Sequence, residues 1–146
     1  MDFGFVNDYY YLTIVNLLMS TVLGLMMGME RERRGISAGL RTFALICVGS
    51  ALFATLAMTR FSDDSGARII AQIITGVGFI GAGLIWKQET GVVRGVTTAA
   101  DIWVAAGVGT AVGSGMYFLA IACTIMVIII LKIHTKNDKN EAQHKQ

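Results

Sequence analysis

Proline is absent from this 146-residue chain, and charge is scarce, with Asp, Glu, Lys and Arg making up 15%. Without proline, chain reversals fall to glycine, of which there are 17. Cysteine is limited to Cys47 and Cys123. Both sit in long apolar runs, so they read as apolar filler and imply no disulfide. The histidines, His134 and His144, are too far apart and too close to the C-terminus to suggest a metal site. No GxxxxGK[ST] occurs, so nucleotide hydrolysis is not expected. Nor is a secretory signal peptide, because Asp2 and Asp8, with no Lys or Arg, precede the first apolar run.

What is present is apolar and interrupted at intervals. Hydrophobic residues are 54% of the chain and its mean hydropathy is +0.61, more than a soluble fold of one domain could hide. Charge-free runs of 21, 18 and 18 residues cover Tyr9–Met29, Thr42–Thr59 and Ile69–Trp86. Each is long enough to cross a hydrocarbon core, which takes about 17–25 residues of helix. From Gly95 to Leu131, Asp101 is the only charge in 37 residues, too long for one crossing. The reversal is expected at Gly113-Ser114-Gly115. The chain is thus expected to be an all-α polytopic membrane protein, a bundle of five transmembrane helices. Its spans are 9–29, 42–59, 69–86, 96–112 and 116–133, forming one domain (1–133) with a short solvated tail, 134–146.

Counting Lys and Arg orients the bundle. Five crossings place ten of them on one side, and only Arg60 and Arg68 on the other. The positive-inside rule then predicts the N-terminus outside and the tail in the cytoplasm. The arginines of the 30–41 loop either act as topology determinants or also lie against anionic head groups.

The glycines recur at packing intervals. Gly24 and Gly28 form GxxxG in the first span. In the fourth, Ala105, Gly109 and Gly113 repeat every four residues, beside a second stripe of Gly107, Ala111 and Gly115. The third pairs Gly78 with Ala82 and Gly76 with Gly83. Such spacing lets helices approach closely in lipid. Residues 76–81 match GxGxxG literally, but a dinucleotide fingerprint needs a strand before it and an acid about 20 residues later, so the match is discounted. The fifth span, with MVIIILKI, is expected to face lipid.

Asp101 lies about six residues inside the cytoplasmic end of the fourth helix, with Thr97 and Thr98 on the same side. An ionised acid there costs several kcal/mol unless paired, hydrated or protonated. In one reading Glu30, Thr97, Thr98 and Asp101 form an oxygen-lined recess for a hard cation or a proton. In the other, Asp101 pairs with an arginine and locks helices together, with Arg41 the expected partner and Arg94 the alternative. A third makes it a hydrated bystander. Near the outer end, Asn16 and Gln72 could form an uncharged cluster, with Arg68 one turn before Gln72.

Three blocks carry a resemblance: GMERERRGISAGLRTFALICVGSALF (28–53), RIIAQIITGVGFIGAGLIW (68–86) and VRGVTTAADIW (93–103). In this order and spacing they resemble the MgtC/SapB family of bacterial inner-membrane proteins, over about residues 20 to 115. The family's characteristic residues fall on Glu30, Arg31, Arg34, Gly35, Gly39, Leu40, Arg41 and Thr42, on Arg68, Gln72, Gly76, Gly78, Gly81 and Gly83, and on Gly95, Thr97, Thr98, Ala99 and Ala100. Asp101 follows the third block, where family members are not uniformly acidic. Several relatives add a C-terminal cytoplasmic domain where this sequence has a short charged tail, so activity that needs that domain is not expected here.

The resemblance implies a multi-pass inner-membrane protein, not an enzyme and without a cofactor. Its expected role is to regulate other membrane proteins, the ATP synthase among them, in magnesium limitation, stress adaptation and virulence. A small oligomeric Mg²⁺ or proton channel or transporter is the alternative. Lipid, other membrane proteins and further copies of the chain are the expected partners, and nucleic acid is not.

Overall fold

The computed structural model describes residues 3–36, 38–89 and 91–133, and the tail expected at 134–146 lies outside them. The chain forms five α-helices: α1 (Phe3–Arg33), α2 (Leu40–Arg60), α3 (Asp63–Leu84), α4 (Val96–Gly113) and α5 (Tyr117–Lys132). Four are long and apolar enough to cross a membrane, while α5, at 16 residues, is shorter. Phe118 and Ile130 on α5 are 87% and 62% exposed, as the expectation of a lipid-facing helix requires. Its inner stripe is Ala120, Thr124, Val127 and Leu131.

Local chemistry sets the helix ends. α1 runs past Met29 and stops only at Arg33, where Gly35 takes a positive φ of 68°. The Gly35 N–H then donates to the Glu32 carbonyl (2.9 Å) and the Ile36 N–H to the Arg31 carbonyl (3.2 Å), closing the end with paired reverse bonds. Glu32 also starts the next helix, since its carboxylate accepts the Leu40 N–H at 3.0 Å, satisfying an N–H that has no intrahelical partner. Between α3 and α4 the chain makes a small antiparallel ribbon, β1 (Trp86–Lys87) and β2 (Val93–Arg94), with Trp86 opposite Arg94. Gly95 closes it at φ 88°, where any Cβ would overlap the Leu84 carbonyl.

Glycine contacts fix which helices touch. On α1, a Cβ at Gly24 would lie 2.8 Å from the Cα of Ala44, and one at Gly28 2.7 Å from that of Leu40, so α1 packs backbone to backbone on α2. On α4, Gly109 and Gly113 press on the carbonyls of Cys47 and Ala51, joining α4 to α2. The Cys47 thiol donates to the Ala105 carbonyl at 3.1 Å across the same seam. The neighbouring stripe behaves differently from its expected packing role, because Gly107 is exposed with nothing near it. α2 is therefore the central helix, with α1, α3 and α4 against it and α5 outside, on α4 and α1.

Candidate functional site

Along α1, Asn16, Ser20, Leu23, Gly24, Met27, Gly28 and Arg31 are buried at three- and four-residue intervals. Ser20 bonds back to the Leu17 carbonyl of its own helix, whereas Asn16 toward one end of the bundle and Arg31 at the other each meet a partner on another helix. Arg31 is only 4% exposed, and its Nη1 lies 3.1 Å from Asp101 Oδ2 on α4. Its Nη2 donates to the Thr98 hydroxyl one turn earlier on α4. The guanidinium thus spans both polar groups on the inner face of α4. The contact with Asp101 is ionic without an aligned hydrogen bond, since neither Arg31 Nε nor Asp101 Oδ2 has a hydrogen-bond partner among the described residues.

The partner of Asp101 is therefore Arg31 and not Arg41. Arg41 is the second residue of α2, nearly opposite the face that buries Phe43 and Cys47, and it is exposed. Nor does the oxygen-lined recess assemble around Asp101. Thr97 is exposed, and Glu30 is engaged by Arg34 one turn on, accepting from Nε at 3.2 Å and Nη2 at 3.0 Å. Of the four candidates only Thr98 and Asp101 come together, with a cation already between them. Among the described residues no group of three His, Cys, Asp or Glu could hold a metal ion. Arg94 sits half-buried in the ribbon at the same end.

At the opposite end Asn16 replaces the expected Asn16–Gln72 pairing with partners on α2 and α5. Its amide Nδ2 donates to Thr55 Oγ1 at 3.1 Å, and its Oδ1 accepts the Tyr117 hydroxyl at 2.7 Å. Thr55 donates in turn to the Gly113 carbonyl at 3.2 Å, so one chain of hydrogen bonds links four helices. Gln72 is exposed on α3, one residue from the buried Ile73 and hence rotated off the packed face. Arg68 and Gly78 also face outward, whereas Gly81 is buried and a Cβ there would stand 3.5 Å from that of Ala99. Gly39 sits in the turn between α1 and α2, beside Glu32.

The tight glycine at Gly28, the buried Arg31 at the end of α1 and the threonine pair in the first turn of α4 all lie within the three sequence blocks. The MgtC family model matches residues 17–140. The chain belongs to the MgtC family. It is 44% identical over 128 residues to YhiD of Escherichia coli (strain K12), described as a candidate magnesium transporter, covering 82% of this chain and 59% of that one. It is 46% identical over 115 residues to Protein MgtC of Salmonella typhimurium (strain LT2), covering 79% and 49%. The uncharacterized protein slr0014 of Synechocystis is 39% identical over 117 residues, covering 80% and 50%. This MgtC-family chain thus spans about half to three-fifths of the length of these curated relatives. No solved structure matches it. With its apolar helices, family membership makes it a multi-pass membrane protein.

Proposed function

We propose that this chain is a non-enzymatic regulator in the bacterial inner membrane that acts on other membrane proteins during magnesium limitation and stress. The observation that carries this reading is the outer face of α3. Gln72, Gly76 and Gly83 share that face, both glycines have open space where a Cβ would stand, and Gln72 has no partner among the described residues. A small-residue face with one amide in apolar surroundings suits a partner helix, which can approach closely and satisfy the amide. The ionised pair inside the bundle, by contrast, is already spent on joining helices. The name of the E. coli relative supports the magnesium setting.

The test is growth of a deletion strain in low magnesium, complemented with Gly76→Leu/Gly83→Leu. Both positions have room, so the double variant should insert and fold normally yet fail to restore growth. Full complementation would refute docking through α3. The name of YhiD favours a second reading, a small oligomeric ion channel or transporter in which Gln72 lines a shared path. Purified protein in liposomes loaded with a Mg²⁺ indicator separates the two, since a regulator conducts nothing and a transporter fills the indicator.

A further inference from the structure

We propose that a notch between α1 and α5 at the arginine-rich end of the bundle holds one anionic phospholipid. Its phosphate would lie between Arg33 and Lys132, with an acyl chain along Met26, Met29 and Ile128. The notch has a volume of about 210 Å³ and is completed by Glu30. Arg33 is the last residue of α1 and Lys132 the last of α5, so both cations stand where apolar helix gives way to polar surface. Both are exposed, and neither has an ion-pair partner among the described residues.

The carboxylate beside them does not cancel this charge, because Glu30 is held by two hydrogen bonds from Arg34. Cations at helix ends alone would serve only to orient a bundle. Here they stand over an apolar floor, with Met26 and Met29 41% and 40% exposed. Methionine adapts its shape to an irregular chain, and two long basic stems can rise from that floor to one headgroup. A free phosphate would use the cations and leave the floor bare. A zwitterionic lipid would use the floor but bring its own cation against Arg33 and Lys132. Only an anionic phospholipid satisfies both halves, and basic pockets between transmembrane helices are known to take such head groups.

The test uses the full chain purified in detergent and titrated with phosphatidylglycerol, phosphatidylcholine or inorganic phosphate, with bound molecules counted by native mass spectrometry. One phosphatidylglycerol should be retained far more tightly than phosphatidylcholine. Arg33→Gln/Lys132→Gln should weaken it by roughly thirtyfold, from about fivefold per basic residue near the surface. Arg41→Gln/Arg68→Gln removes the same net charge away from the notch and should leave retention unchanged. Ile128→Trp should weaken binding with every charge in place, by filling the floor. Equal retention of phosphatidylcholine would overturn the proposal, as would an equal loss in the two charge variants. Competition by inorganic phosphate at the lipid's own concentration would also overturn it, because the site would then be one for a bare anion. Should Ile128→Trp not fold, the two charge variants still decide the matter.

Discussion

Arg31 gains its importance from where α1 ends. Reading charge-free runs closes the first helix at Met29 and leaves Arg31 to a loop, where it looks like one of several topology charges. The buried spacing through Asn16, Gly24 and Gly28 continues one turn further and lands on Arg31. That periodicity was available in the sequence, but it yields to charge when spans are drawn by composition. The presence of an acid inside the fourth span at Asp101 was legible, with an arginine partner as one of three readings. Its partner was not, because helix rotation decides between arginines of similar depth. Removing either member strands the other in low dielectric, so Asp101→Ala and Arg31→Ala should each cost about 3–5 kcal/mol. The double variant should cost less than the two singles together. Arg41→Ala, on an exposed face, should change stability by no more than about 0.5 kcal/mol. Thermal unfolding in detergent measures all four. Asp101→Asn should resemble Asp101→Ala in stability, since a neutral amide does not compensate the guanidinium. A stable Asp101→Asn protein that has lost function would instead restore the case for a cation ligand.

At the scale of elements, glycine spacing predicted close packing but not which of two adjacent stripes provides it. On α4 both the Gly109 and Gly107 stripes have the right interval, and α2 can cover only one. Backbone contact selects Gly109, which presses on the Cys47 carbonyl, and leaves Gly107 outside. Gly109→Leu should therefore abolish the folded bundle, because a helix backbone cannot move aside as a flexible side chain can. Gly107→Leu should yield normal amounts of monodisperse protein. If the two substitutions behave alike on size-exclusion chromatography, α2 and α4 do not meet along this seam. The outer polar network gives a second, graded test. Asn16→Leu removes both hydrogen bonds and leaves the Tyr117 hydroxyl wanting an acceptor, while Thr55 keeps its bond to the Gly113 carbonyl, for an expected loss of about 1–3 kcal/mol. Tyr117→Phe leaves only Asn16 Oδ1 wanting and should cost less.

Across the whole molecule, the alternation of helix direction reads directly from contacts between chain-distant residues. Arg31 at the end of α1 meets Asp101 near the start of α4, while Asn16 meets Thr55 and Tyr117 at the other end. Gathered this way, Arg31, Arg33, Arg34, Arg41, Lys87, Arg94 and Lys132 lie at one end, and Arg60 and Arg68 at the other. Seven against two among the described residues is the asymmetry from which orientation is inferred, and the rule puts the rich end in the cytoplasm. The ribbon between α3 and α4 belongs to that end, and the turn between α4 and α5 to the opposite one. Cysteines placed at these two turns, with Cys47 and Cys123 replaced by Ser, convert the inference into a measurement. Met116→Cys, at a position 54% exposed, should react with an impermeant maleimide added to intact spheroplasts. Gln88→Cys, beside β1, should react only after the membrane is opened. The reverse pattern would invert the bundle and place the anionic-lipid notch in the outer leaflet. Labelling of both positions from outside would mean that α4 does not cross, although Gly109 and Gly113 seat its second half on the α2 backbone.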